Sequence, residues 1–201
     1  MELKQQLIYF IVMLNPFAQA LALWDYMKQI SWRDFSVVYA KASVLSFGVY
    51  MLFLVFGEVI VNNIFQIRLS ALRIFGGLLM ISIAYRNIAL GVKTNLLLNV
   101  KISDLAQEIS LPYIIGPATL WLCILIGQSE HRTLGGLGIA GLMCANWMLL
   151  VLVHRLFSDL ERQKETLFGK YLSVLMRTNS LFIGAIGVDM IISGMKNVMT
   201  A

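Results

Sequence analysis

The sequence predicts an all-α membrane protein: six transmembrane helices forming two inverted three-helix repeats, with the first and fourth helices interrupted. Three observations carry that expectation. The composition is 59% hydrophobic and only 13% charged, with a mean hydropathy of +0.77, whereas ordinary soluble domains carry about 25% charged residues. Six segments, about 3–24, 36–60, 67–91, 109–127, 134–156 and 171–198, are apolar over about the 20 residues that a spanning helix needs. All three prolines lie inside two of those segments, at corresponding places about a hundred residues apart. No remaining stretch could form a soluble domain, so residues 1–201 read as a single transmembrane domain, with repeat one at about 1–95 and repeat two at about 103–201.

Span 1 begins Met1-Glu2-Leu3-Lys4, has no small-residue cleavage site and leads into further apolar segments, so it is expected to be a retained span and not a signal peptide. Near its middle stands Leu14-Asn15-Pro16-Phe17-Ala18-Gln19. Proline in a helix interior costs about 3 kcal/mol or more, so the helix should stop and restart there. A polar loop at 25–34 leads to span 2, which opens with Tyr39, Lys41 and Ser43 and closes at Glu58. A short connector at 61–66 precedes span 3, in which Arg73-Ile74-Phe75-Gly76-Gly77 places two glycines where close helix packing would use them. The polar connector 93–108 holds the midpoint. Span 4 carries Leu111-Pro112 and Gly116-Pro117-Ala118-Thr119, span 5 is glycine-rich at its start, a charged loop runs over 158–170, and span 6 holds Arg177, Asn179 and Asp189.

Two landmarks recur in order. Sliding the chain by 101 residues lays Asn15-Pro16 on Gly116-Pro117, and sliding by 104 lays Arg73 on Arg177, the self-similarity expected of an internal repeat. Orientation follows from the basic residues. The connectors after spans 1, 3 and 5, with their helix ends, carry Lys28, Arg33, Arg86, Lys93, Lys101, Arg155, Arg162, Lys164 and Lys170, and the other side carries Lys4, Arg68, Arg132 and Lys196. The positive-inside rule then puts both termini outside the cytoplasm. Three spans per repeat is an odd number, so the second repeat enters from the opposite side.

Paired interrupted helices in inverted repeats are the plan of secondary transporters, whose solute site lies at mid-depth between the repeats. A break inside lipid frees backbone groups that only protein, water or ligand can satisfy. The candidate substrate-binding residues are therefore Asn15, Pro16, Phe17, Ala18 and Gln19 at one break and Gly116, Pro117, Ala118 and Thr119 at the other. Half-helix N-termini aimed at the midplane favour a carboxylate, while Asn15, Gln19 and Thr119 offer neutral hydrogen bonding. No charged residue falls inside either break, so freed backbone groups are expected to dominate binding. Depth arithmetic at about 1.5 Å per residue sets Arg73 about 10 Å and Asp189 about 9 Å to the outside of the midplane, which predicts an intramembrane ion pair between spans 3 and 6. Arg86 falls about 9 Å to the inside by the same arithmetic.

These motifs resemble the MarC family of bacterial and archaeal integral membrane proteins. The resemblance rests on Asn15-Pro16-Phe17, Arg73-Ile74-Phe75-Gly76-Gly77, Leu111-Pro112 with Gly116-Pro117, and the final stretch from Arg177 to Gly194, and it covers nearly the whole chain. It implies six spans in the plasma membrane and, from some members, transport of neutral amino acids. The first motif departs from the common pattern in having Ala18 where glycine is usual, and Gln19 is also unusual, which leaves room for a solute other than glycine or alanine.

The expected function is thus a secondary transporter, carrier or exporter, of small neutral solutes. The alternative is a channel, or a membrane partner or scaffold without transport activity. An enzyme is not expected, because the chain has neither His-Glu-x-x-His nor Gly-x-Ser-Gly, its one deep carboxylate is Asp189, His131 sits in a loop and His154 sits near a helix end at the interface. Cys123 and Cys144 lie within spans without metal-ligand spacing and read as packing residues, so neither a metal nor a cofactor is expected beyond a coupling proton or sodium ion. The implied partners are a small-molecule solute and the lipid bilayer, with oligomeric state left open. Nucleic acid is not among them, since the net charge of +5 is scattered over short loops.

Overall fold

The computed structural model describes residues 2–64, 66–91, 109–110, 114–158 and 162–199, which form helices and connecting turns with no strand among them. The midpoint connector at 93–108 and Pro112 lie outside the described residues. Four helices among the described residues are long and apolar enough to cross a membrane: Trp32–Ile64, Leu69–Ala89, Arg132–Leu156 and Leu167–Met199. They occupy the places of spans 2, 3, 5 and 6. The other two places are built differently.

The first stretch is three short helices, α1 (Leu3–Leu14), α2 (Pro16–Ala22) and α3 (Trp24–Met27). Asn15 separates α1 from α2 in the left-handed region, with φ 49° and ψ 68°, a conformation asparagine tolerates better than other side chains. Pro16 follows at the first helical position, where its missing N–H and fixed φ suit a helix start. In the fourth place the described helix is α6 (Pro117–Gly127), 11 residues long. At about 1.5 Å per residue that is about half of a 30 Å hydrocarbon core.

The long helices are α4 (Trp32–Val59), which runs on into a π-turn at Ile60–Ile64, α5 (Leu69–Ala89), α7 (Arg132–Ser158) and α8 (Arg162–Met199). Two of the loops read from the sequence are shorter than expected. The one at 25–34 contains α3, and α4 already begins at Trp32 because Ser31 caps it: Ser31 Oγ accepts the Asp34 N–H at 3.1 Å and donates to Asp34 Oδ2 at 2.7 Å. The charged stretch at 158–170 is helical from Arg162. Charge there opposes burial in lipid but not helix formation, for which Arg, Gln, Lys and Glu are good residues. His154, near the end of α7, is buried and stacked on the Phe35 ring at 5.0 Å between centroids.

The core lies where the two sets of helices meet. α5 and α8 pack along most of their length, and their closest approach is backbone to backbone. A Cβ on Gly77 would lie 2.5 Å from the Gly187 carbonyl oxygen, and one on Gly187 would lie 2.8 Å from that of Gly77. Gly76 faces the Met190 methyl, 3.1 Å from where its Cβ would be. α4 packs on both α6 and α7 through one buried stripe that includes Tyr39, Ala42, Ser46, Tyr50 and Leu54, and Phe10 meets Tyr50 edge-on at 5.2 Å. Large apolar side chains such as Val44, Leu52, Phe75, Leu78 and Phe182 are exposed. So extensive an apolar exterior needs lipid around it.

Candidate functional site

At the first break the freed backbone groups are taken up one by one. Pro16 has no N–H to give the Val12 carbonyl, and Asn179 Nδ2 of α8 supplies that bond instead at 2.9 Å. The Ala18 N–H turns to Asn15 Oδ1 at 3.1 Å, so the Leu14 carbonyl is left to accept from Gln19 Nε2 at 2.6 Å. Gln19 Oε1 in turn accepts from the Tyr39 hydroxyl of α4 and, at 3.0 Å, from Asn146 Nδ2 of α7, which also lies 2.7 Å from the Tyr39 oxygen. Asn15, Gln19, Tyr39 and Asn146 are all buried. A bond there adds about 0.5–1.5 kcal/mol net, whereas a buried group left without one costs about 1–3 kcal/mol.

The second break is held from α4. The Tyr50 hydroxyl donates to the Ile114 carbonyl at 2.7 Å, with Thr119 Oγ1 as a second, longer acceptor at 3.2 Å. Thr119 Oγ1 accepts the Gly116 N–H at 3.0 Å and donates to the Gly116 carbonyl at 2.7 Å, folding the entry to α6 onto itself. Upstream, Ser46 Oγ and Ser110 Oγ share a hydrogen bond of 2.8 Å, and the Ile115 N–H bonds the Ser110 carbonyl at 2.9 Å.

Between the breaks lies a cavity of about 160 Å³. Asn15, Ala18 and Gln19 line it from one side and Gly116, Ala118 and Thr119 from the other. Met80, Ile83, Arg86 and Asn87 of α5 complete the wall. Asn87 is buried and donates to Ser180 Oγ of α8 at 3.2 Å. The remaining nominated residues lie elsewhere. Pro16 and Phe17 line a separate cavity of about 360 Å³ behind the break, with Asn146 and Asn179. Pro117 supplies the first residue of α6. Arg73 holds its guanidinium over the Trp121 ring, 5.2 Å from the centroid, within electrostatic reach of Asp189 on an exposed face of α8.

The family model described as MarC family integral membrane protein matches residues 2–199. The chain belongs to the MarC family. It is similar to the UPF0056 membrane protein PH0214 of Pyrococcus horikoshii, 27% identical over 194 residues that cover 96% of this chain and 93% of the relative. It is also similar to the UPF0056 membrane protein YvbG of Bacillus subtilis, 26% identical over 179 residues, 78% of this chain and 76% of the relative. No solved structure matches it. As a MarC-family protein it is an integral membrane protein with several membrane-spanning helices, and the exposed apolar faces of α4, α5, α7 and α8 are its surface toward lipid.

Sequence reasoning missed Tyr39, Tyr50, Asn146, Arg86 and Asn87. For three of these a signal was present. Asn146 is a lone amide in an apolar stretch of α7, and Arg86 and Asn87 stand in a membrane helix, where polar and charged groups mark functional positions by default. Tyr39 and Tyr50 gave none, because tyrosine is common in apolar helices and its partners stand 20 and 64 residues away in the chain.

Proposed function

We propose that this MarC-family protein is a secondary transporter, carrier or exporter, of small neutral solutes, amino acids first among them, working by alternating access about the cavity between the breaks. The observation that carries this reading is that residues of both breaks line one cavity. Each break is held by side chains of other helices in place of continued helix. In lipid, unwound backbone is tolerated only where protein or a water-filled cavity satisfies it, and carriers bind solutes where broken helices meet. The size fits as well: a cavity of about 150 Å³ holds benzene, so about 160 Å³ admits a solute of roughly six non-hydrogen atoms.

The six-span plan with two inverted repeats belongs to the same proposal. α1–α2 and α6 would be the broken first spans, α4 and α7 the second spans, and α5 and α8 the third. The proposal includes a bacterial or archaeal cell membrane as the location, both termini outside the cytoplasm, and a proton or sodium ion as coupling ion. Counterflow in proteoliposomes tests it. Vesicles preloaded with an unlabelled amino acid should take up labelled members of a neutral amino acid panel saturably, with a response to a proton or sodium gradient if coupled. Flux without saturation or trans-stimulation would make the protein a channel, and no flux for any member would make it a membrane partner; either outcome overturns the carrier reading.

A further inference from the structure

We propose that Arg86 is the carboxylate-binding residue of this cavity, so that the solutes it takes are small carboxylates, including zwitterionic amino acids, and not the corresponding amides. The proposal rests on the transporter reading for its biological meaning, but its test is a binding measurement that stands apart from transport.

Arg86 is the one charged side chain among the described residues that line the cavity, and no carboxylate lines it. The remaining wall is apolar side chains and the uncharged groups of Asn15, Gln19, Asn87, Gly116 and Thr119. An apolar solute would leave the guanidinium without a counter-charge, and a cationic one would be repelled. A solute with a single anionic group supplies what the wall lacks.

The position of Arg86 is set by the helix it stands on. Met80, Ile83 and Asn87 fall at spacings of three and four, which is one stripe of α5, and Arg86 stands at its edge, three residues after Ile83. The bond from buried Asn87 to Ser180 at 3.2 Å fixes the rotation of that stripe against α8. Arg86 is itself exposed and falls on the same side of α5 as the exposed Phe75, Leu78 and Ser82, which precede it by 11, 8 and 4 residues. Arg86 therefore borders the cavity from its open edge, in the last turn of α5. Arginine in a membrane helix is costly unless it meets a partner or water, and its planar fork matches a carboxylate with two parallel hydrogen bonds, an arrangement a neutral amide cannot reproduce.

The cavity volume of about 160 Å³ sets the scale of the rest of the solute. Alanine and serine are of this size. With the carboxylate on Arg86, the small remainder extends toward Asn15 and Thr119 at the two breaks, which links solute binding to the elements that would move.

The test uses the full-length protein in nanodiscs of zwitterionic lipid, with equilibrium binding of labelled alanine and serine, of their carboxamides, and of propionate. The wild type should bind alanine and propionate and bind the carboxamides at least tenfold more weakly. Arg86→Gln should weaken alanine binding about ten- to a hundredfold, the range expected when a charge-assisted bond is lost, and should abolish the discrimination against the carboxamide. Arg86→Lys, which keeps the charge without the fork, should fall between. Loss of the acid-to-amide preference is a readout that a general loss of folding would not produce, because both ligands would then weaken together. Equal alanine affinity in the wild type and Arg86→Gln, a carboxamide that binds as well as the acid, or no binding of any carboxylate would each overturn the proposal. An Arg86→Gln effect confined to added anionic lipid would overturn it too, and would make Arg86 a headgroup contact. Arg86-dependent binding without counterflow would leave this proposal standing and remove the transporter reading.

Discussion

Replacing Gln19 with leucine removes both halves of the amide that ties the first break to α4 and α7. The Leu14 carbonyl loses its donor, 2.6 Å away, and Tyr39 and Asn146 lose the oxygen on which both converge. Those two can still bond each other across 2.7 Å, so the variant strands two buried groups and not three: the carbonyl, and one donor of the Tyr39–Asn146 pair. At about 1–3 kcal/mol for each, Gln19→Leu should cost about 2–6 kcal/mol, a large part of a typical stability of about 5–15 kcal/mol. At about 2–4 °C per kcal/mol for a chain of this size, the midpoint should fall by on the order of 10 °C. Tyr39→Phe is the internal control. It leaves Gln19 Oε1 with Asn146 at 3.0 Å, strands nothing, and should cost only about 1 kcal/mol. The assay is thermal unfolding of the purified protein in one detergent, followed by the soluble fraction on size exclusion. A Gln19→Leu midpoint within about 3 °C of wild type, or a Tyr39→Phe protein less stable than Gln19→Leu, would refute the reasoning.

Asn179→Ala should cost about 1–3 kcal/mol by stranding the Val12 carbonyl, and adding Pro16→Ala should restore stability by returning an N–H to that carbonyl, while lowering counterflow because the break closes; a double variant no more stable than Asn179→Ala would show that Asn179 does not fill the proline gap. Gly77→Ala should cost about 1–3 kcal/mol in the same assay, since its Cβ would press within 2.5 Å of the Gly187 carbonyl oxygen, whereas Gly141→Ala meets nothing within 4 Å and should gain up to about 1 kcal/mol from helix propensity. Equal midpoints for the two would refute the seam. Asp189→Asn should lower stability or counterflow through its electrostatic link to Arg73, and Arg73→Gln combined with Asp189→Asn should recover part of the loss; a double variant no better than the worse single one rules the pair out.

What was legible in the chain was legible because its cause is local. Asn15-Pro16 announces its own break, since proline removes a donor and asparagine accepts the left-handed turn whatever surrounds them. The early start of α4 was obscured because the Ser31–Asp34 cap lies in a polar stretch that reads as loop, and the helix from Arg162 was obscured because hydropathy measures compatibility with lipid and not helicity. The same distinction governs the site. Asn15, Gln19 and Thr119 could be nominated as polar side chains at breaks, but adjacent positions on a helix point about 100° apart, so a motif of consecutive residues cannot put every side chain on one face. Pro16 and Phe17 accordingly face the cavity behind the break. The groups that satisfy the first break come from Tyr39, Asn146 and Asn179, across separations of 20, 127 and 167 residues, which no local pattern encodes.

Those distant groups also determine which parts of the molecule could move. Tyr39, Ser46 and Tyr50 fall on one face of α4, the two tyrosines 11 residues or about 16 Å apart, and that face serves both breaks: Tyr39 holds the first through Gln19, while Ser46 and Tyr50 hold the second through Ser110 and Ile114. Each attachment is a side-chain bond worth about 0.5–1.5 kcal/mol net, so releasing one end of α4 leaves a state only a few kcal/mol higher, within the range of a populated minor conformer. The contact between α5 and α8 is more than the Asn87–Ser180 bond between them. It is a backbone-to-backbone approach at Gly77 and Gly187, continued by packing along most of both helices, and it would have to be lost as a whole. Under the transporter reading α5 and α8 are therefore the fixed pair, carrying Arg86 and Asn87, and the short helices α1–α2 and α6 are the elements that rock against α4, one break at a time.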